Sequence, residues 1–196
     1  MKRITLFILI TIVGFCGNSF ANESIKIKRI FEGKESAKVT IITYESLTCG
    51  HCADFHKNVY PDLKKNFIDK GLVKIEFRHF PLDIAAFNAS KIAQCKNDGK
   101  TSLLDILFSN QSKWAKGKSA EDANDHLKKF LKDEGINIDF EKCTNDKNIE
   151  DYVLNDRIEG VKKFDVNATP TIIINDKKFD KALNYKNLKK YLEKLI

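Results

Sequence analysis

Hydrophobic and polar positions follow distinct rhythms along this chain, and each rhythm predicts an element. Residues 37–45, AKVTIITYE, form a β-branched run of strand length bounded by polar residues. From about Cys49, the segment HCADFHKNVYPDLKKNFIDKG places Phe55, Val59, Tyr60, Leu63 and Phe67 at helical spacing, with Gly71 as the stop. Pro61 falls inside this helix and predicts a kink. The next stretch, LVKIEFRHF, alternates Val73, Ile75 and Phe77 with Lys74, Glu76 and Arg78, the period of a second strand. Strand, helix and strand make a βαβ unit, whose crossover should be right-handed and its strands parallel.

From about residue 84 to 164 the period becomes helical in several pieces: AAFNASKIAQCKN, SLLDILFSNQ, AEDANDHLKKFLKDEG and NIEDYVLNDRIEGVKKF. A second β run follows, TPTIIIND and then KKFD, with Asn175-Asp176 suited to a hairpin turn. The chain closes on NYKNLKKYLEKLI, an amphipathic helix. The predicted order is βαβ, a helical block, then ββα. No repeat, low-complexity tract or Pro/Gly-rich linker marks a second independent unit, and 196 residues suit one packed domain.

The start breaks the pattern. MKRITLFILITIVGFCGNSFA has a basic tip (Lys2, Arg3), an apolar run too short to span a bilayer comfortably, and Ser19-Phe20-Ala21 as a small-x-small cleavage site. Residues 1–21 are therefore expected to be a secretory signal, residues 22–196 the mature domain, and the periplasm its compartment. Cys16 raises the rival of a lipid anchor, but the bulky Phe15 stands where lipoprotein processing wants a small residue. The formal charge is +7, carried mostly by lysines interspersed with acids. A nucleic-acid groove would need basic residues clustered with stacking aromatics, and the sequence has no such cluster.

Export changes how cysteines are read. Past the signal the chain keeps Cys49, Cys52, Cys95 and Cys143. An even number in an oxidising compartment suggests two disulfides, and the tight spacing of the first two favours 49–52 with 95–143. The ring closed by Cys49-Gly50-His51-Cys52 is tiny, which suits redox work, whereas the 95–143 loop suits a staple. Cys49 falls where the first strand gives way to the first helix. Unsatisfied N–H groups and partial positive charge at a helix N-terminus favour the thiolate, the reactive form of cysteine. Cys52 lies within bonding distance one turn on, His51 can add positive charge or a hydrogen bond, and Gly50 removes bulk before a protein substrate. A metal held by Cys49, Cys52 and His51 or His56 is the competing use, but no second ligand pair stands at finger spacing. His56 and His126 read as helix-surface residues, and His79, at a strand end, has no evident partner.

These residues resemble the thioredoxin superfamily and, within it, the exported DsbA-like thiol–disulfide oxidoreductases. The resemblance covers nearly all of residues 22–196 and rests on TCGHCADFHKNVYPDLK, FRHFPLD, the helical block with KIAQC and FEKC, and VNATPTIIIND. It implies an α/β thioredoxin fold whose βαβ and ββα halves flank a helical insertion at about 84–164. It implies that Cys49 is the exposed nucleophile and Cys52 the buried resolving thiol. It also implies a cis Thr169–Pro170 bond facing the pair, offering backbone groups to an extended substrate. Cys95 and Cys143 match a second, non-catalytic disulfide of α-proteobacterial relatives. No cofactor or metal is implied beyond the Cys49–Cys52 disulfide itself. The implied partners are reduced cysteine-containing exported proteins and a membrane redox partner, for a chain acting as a monomer.

Two departures keep the direction of electron flow open. Gly50 stands where the best-studied DsbA enzymes have proline, and Thr169 where they have valine before the cis-proline. Threonine there is shared with isomerases and reductases of the superfamily. Residues 22–38 leave little room for the dimerisation domain such isomerases use. The leading expectation is an oxidase renewed by a DsbB-like quinone reductase. The alternatives are an isomerase or reductase fed by a DsbD-like donor, and, from another class, a metal-handling module built on Cys49, His51 and Cys52.

Overall fold

The computed structural model describes residues 27–96 and 99–196. The signal-peptide expectation for 1–21 and the rival at Cys16 lie outside the described residues. Strand β1 (Ile30–Glu32) leads to β2 (Val39–Glu45), and helices α1 (Gly50–Asn58) and α2 (Tyr60–Leu63) with a π-helical turn (Lys64–Ile68) cross over to β3 (Val73–His79). The helical block follows as α3 (Ile84–Cys95), α4 (Ser102–Ser109), α5 (Gln111–Trp114), α6 (Ala120–Asp133), α7 (Phe140–Asn145) and α8 (Lys147–Phe164). The chain returns to the sheet with β4 (Thr171–Ile174) and β5 (Lys177–Lys178) and ends on α9 (Tyr185–Leu192). The sheet order is β1-β3-β2-β4-β5. Strands β2 and β3 pair in parallel from Val39 opposite Val73 to Glu45 opposite His79, while the other pairings are antiparallel. This is the expected thioredoxin arrangement.

One strand was not foreseen. At three residues, β1 is too short to show an alternation, and it forms because β3 offers Ile75, Glu76 and Phe77 as partners. The single helix expected from Cys49 to Gly71 is broken at Val59 (φ −122°, ψ −49°), where α1 ends and α2 begins with Pro61 in its first turn. Proline lacks an N–H and is accommodated where that donor has no helical partner anyway. Gly71 (φ +72°) ends the π-helical turn, its N–H on the Ile68 carbonyl and that of Leu72 on Phe67. The Asn175-Asp176 hairpin turn is as expected, with both residues at positive φ.

The β-branched strands bury both faces. Val39, Ile41, Val73, Ile75, Ile172 and Ile174 join the main core with α1, α4, α6 and α9. Tyr44 and Ile173 point to the opposite face, where they meet Phe80, Phe164 and Val166. Helix α8 closes that face and approaches so near that a Cβ on Gly160 would lie 2.7 Å from the Tyr44 ring. Asp156 locks the same helix to β3: it accepts from the His79 backbone N–H at 3.1 Å and from Arg29 at 3.2 Å. His79, which the sequence left without a partner, is buried and bonds Gln94 through Nε2 at 3.1 Å. Its partners lie 15 and 77 residues away, beyond the reach of local pattern. Among the described residues no helix is long and apolar enough to cross a membrane.

Within the helical block, Cys95 at the end of α3 is bonded to Cys143 on α7. This cross-link spans 48 residues, and constraining a loop of that length in the unfolded chain is worth about 4 kcal/mol at most. Both cysteines replaced by alanine should therefore lower the melting temperature of the oxidised protein by about 10 °C. A calorimetric scan of the double variant checks this, and a shift within about 1 °C would show that the bond is not a staple.

Candidate active site

Strand β2 ends at Glu45, and a tight turn, with the Cys49 N–H on the Ser46 carbonyl at 3.0 Å, delivers the chain to α1. Cys49 is the residue before the helix, in extended conformation (φ −79°, ψ 119°), so its sulfur faces the first turn. The Cys49 carbonyl takes the N–H of Cys52 at 3.1 Å and of Ala53 at 3.2 Å. Gln111 on α5 adds a clamp from the helical block, its Nε2 donating to the Leu47 carbonyl at 2.8 Å and the Cys49 carbonyl at 3.0 Å. No sequence signal marked Gln111.

The two thiols, free in this structure, sit in opposite environments. Cys49 is half-buried and its thiol is lowered from about 9 to about 5. The Cys52 thiol is the strongest donor to its thiolate. Partial burial opposes, and the Thr169 hydroxyl and the backbone N–H groups of Cys52 and His51 add to the lowering. When protonated, Cys49 Sγ donates instead to the Thr169 carbonyl at 3.3 Å. The Thr169 hydroxyl is buried and has no other partner among the described residues, so it is available to the thiolate. Cys52 is fully buried, and its thiol is pushed far above the ordinary range by the bond to Cys49, by burial and by the charge of Glu45. One sulfur is thus ready to attack or to leave at neutral pH, and its neighbour holds its proton.

The sequence-predicted residues converge here. It is the His51 backbone N–H that reaches the Cys49 sulfur, while the side chain is exposed and lines a groove. Gly50 faces open space, where a Cβ would meet nothing within 4 Å. The Thr169–Pro170 bond is cis. Both residues line the same groove of about 640 Å³, with Asp54, Phe55, Asn58 and Tyr185 also on its walls. Cys95 and Cys143 lie apart, in the disulfide of the helical block.

His56 is not the surface residue its helical position suggested. Its ring is buried, stacked on Phe108 of α4 at 4.1 Å, with Nε2 2.8 Å from Glu45 Oε2. The helical block covers a face of α1 that a plain βαβ unit would leave in water. Burial alone would lower the imidazole, but Glu45 and Asp105 more than reverse it and raise His56 to about 9. Glu45 is held on its other oxygen by the Thr43 hydroxyl at 2.8 Å. Sequence reasoning missed Glu45 and misread His56, although His56 lies four residues after Cys52 and shares its helix face. His126 does sit toward the surface, paired with Asp122 at 3.4 Å. Among the described residues no group of three His, Cys, Asp or Glu side chains is arranged to hold a metal ion.

Comparison with known proteins agrees with this geometry. A family model described as thioredoxin matches residues 26–194. The chain is similar to disulfide bond formation protein D of Bacillus subtilis, 28% identical over 172 residues covering 83% of this chain and 74% of that protein. It is 27% identical over 150 residues to a putative protein-disulfide oxidoreductase of Rickettsia bellii, covering 73% of this chain. It spans only 55% of that relative's length, and 31% of a Rickettsia conorii protein of the same description. Among solved structures it resembles alpha-DsbA1 of Wolbachia pipientis, with a TM-score of 0.75, 29% identity and coverage of 86% of this chain and 90% of that one. A protein-disulfide isomerase from Novosphingobium aromaticivorans shares the fold at 17% identity, with a TM-score of 0.75 and coverage of 86% and 98%.

Two measurements follow from the asymmetry of the thiols. Thiolate absorbance of the reduced protein should report one group titrating at about 5. Replacing Cys52 by alanine removes the strongest donor to the thiolate, and the Cys49 value should rise by about one to two units. Because this pKa is depressed on folding, its contribution to the stability of the reduced protein is full above about pH 9, shrinks as pH falls, and is gone below about 5. Denaturant melts of the reduced wild type against Cys49→Ser across that window check the sign. A gap that widens toward acid would contradict it.

Proposed function

Because the chain belongs to the thioredoxin family and, within it, to the DsbA-like thiol–disulfide oxidoreductases, we propose that it introduces disulfides into reduced proteins outside the cytoplasm, through Cys49 and Cys52. The observation that carries the direction is the Cys49 thiolate, stabilised to about 5. Stabilising one thiolate favours the reduced pair, which makes the Cys49–Cys52 disulfide a stronger oxidant.

The steps follow from the two environments. A substrate thiolate attacks Cys49 Sγ, a mixed disulfide forms, and the bonding pair of the old disulfide departs on Cys52. The substrate's second thiolate then attacks its own sulfur of the mixed disulfide, and Cys49 leaves as a thiolate. A low thiol pKa makes a fast leaving group, so release of oxidised product is the step this site eases. An extended peptide lies in the groove beside Thr169 and Pro170, where backbone groups next to the cis bond are available to it. The protein leaves with two thiols, and a membrane quinone reductase of DsbB type is proposed to re-oxidise it. The proposed setting is the periplasm, reached through the signal sequence at 1–21, and no cofactor beyond the cysteine pair takes part.

A second reading, an isomerase or reductase kept reduced by a membrane donor, draws support from Gly50 and from Thr169 before the cis-proline, the two departures from the best-studied DsbA enzymes. Equilibration with glutathione separates the two. The oxidase reading expects a potential near that of DsbA, about −120 mV, and a value near thioredoxin's, about −270 mV, favours the reductase. Cys49→Ser should abolish oxidation of a reduced two-cysteine peptide, lowering its rate at least a hundredfold. Turnover at the wild-type rate in that variant would exclude the mechanism.

A further inference from the structure

Charge is unevenly placed along this chain. Residues 177–196, which hold β5 and α9, carry seven lysines against Asp180 and Glu193, a formal +5. Residues 1–26 carry +2, so the 150 residues between them add nothing to the total of +7. On α9, Leu188 and Leu192 turn into the core, while Lys186, Lys189 and Lys190 are exposed. Lys186 and Lys190 stand at i, i+4, a spacing at which like charges oppose the helix that bears them. Among the described residues neither has an ion pair.

This helix is also a wall of the substrate groove. The groove beside Thr169 and Pro170 runs between Asp54 and Asn58 of α1 and Tyr185 at the start of α9. A second hollow, of about 350 Å³, lies against the same helix, with Phe67, Lys70 and Leu72 on one wall and Tyr185, Lys189 and Ile196 on the other. Tyr185 lines both, so the two hollows form one furrow along α9. The eight residues of α9 rise about 12 Å, the length of about four residues of extended chain.

We propose that a substrate polypeptide occupies this whole furrow, and that the site prefers substrates with acidic residues in the part of the chain that passes beyond Tyr185. Lys70 and Lys189 face the distal hollow from its two walls, and Lys38 donates to the Ile196 carbonyl at 2.8 Å at its end. Glu193 also lines the hollow, 3.8 Å from Lys189 in an exposed pair, a weak contact that an incoming carboxylate can replace. Nearer the cysteines the sign reverses, because Asp54 lines the groove there. The preference therefore belongs to the distal stretch and not to the residues next to the cysteine. An anionic lipid surface is the other ligand for such a charge. Binding in lipid calls for an apolar helix face to insert, and α9 has turned that face to the core. A furrow with two walls suits a chain.

The proposal rests on the thiol-exchange reading and names the substrates that reading would favour. Reduced two-cysteine peptides of equal length, with one flank of glutamates, glutamines or lysines, are given to the oxidised full chain at low and high salt. The furrow leaves the cysteines in one direction, so each flank is placed in turn before and after them. In one placement the glutamate peptide should show a KM about tenfold below the glutamine peptide at equal kcat, and the lysine peptide a KM above both. High salt should remove the difference, since exposed charges are then screened within a few ångströms. Lys70→Gln/Lys186→Gln/Lys189→Gln should cut the preference to within about twofold. Lys113→Gln/Lys116→Gln/Lys118→Gln removes as much charge around α5 and should keep it; all six lysines are exposed.

Equal KM values for glutamate and glutamine peptides in both placements overturn the proposal. So does a preference that survives the first triple variant, or one lost equally in both. Binding to phosphatidylglycerol vesicles without any peptide preference would give the basic face to lipid and overturn it as well. The same peptides with serine for cysteine, titrated by fluorescence anisotropy, read the furrow without exchange. If the wild type oxidises no peptide yet binds the glutamate form more tightly, the exchange reading fails and the furrow stands.

Discussion

A negative charge held at the start of α1 is the feature around which the surrounding structure is arranged. The parallel register of β2 and β3 brings Glu45 level with His79, and the strand-ending turn then places Cys49 where helical N–H groups have no helical partners. Those N–H groups need an acceptor, and the Cys49 thiolate supplies it. The cis Thr169–Pro170 segment comes from the other half of the fold, and Thr169 completes the shell with a carbonyl for the thiol and a hydroxyl for the thiolate. Each protonation state of one sulfur thus has its own partner, and neither requires the backbone to move.

The helical block reaches into this arrangement from the far side. Gln111 holds the carbonyls of Leu47 and Cys49, so α5 fixes the loop that carries the sulfur. Phe108 on α4 roofs the imidazole of His56, and Asp105 on the same helix faces its second nitrogen. The Cys95–Cys143 bond and the salt link of Lys91 to Glu150 at 3.8 Å tie α3 to α7 and α8 in the same block. The block therefore bears on the electrostatics of the site as well as on the cover of the core.

Local chemistry was legible in the sequence where its causes were local. Cys49 and Cys52 could be placed because a β-branched strand ending at Glu45 and a helix beginning near Gly50 both show in periodicity. The Asn175-Asp176 turn was readable because both residues tolerate positive φ. Strand β1 escaped because three residues carry no period. The partners of His79 and His56 escaped because Gln94, Asp156, Glu45 and Asp105 come to them through tertiary packing. The fold itself hides a further trap: a helix that is amphipathic in isolation becomes buried on two sides once an insertion covers it. His56 was misassigned for that reason.

The Glu45–His56 pair is hard to explain by stability. Burying two charges costs several kcal/mol per ion before their attraction is counted, and an apolar pair of similar volume is often as stable. The geometry is nonetheless well made, with Thr43 and His56 dividing the Glu45 oxygens and Phe108 flat against the ring. The contribution of the pair also depends on pH, because His56 is raised on folding: it is full below about 6.5, the ordinary imidazole value, and is lost as pH rises through about 9. The ring stands between two acids, the buried Glu45 at 2.8 Å from one nitrogen and the half-exposed Asp105 at 3.6 Å from the other, so its charge is set by the end of β2 and by the helical block together.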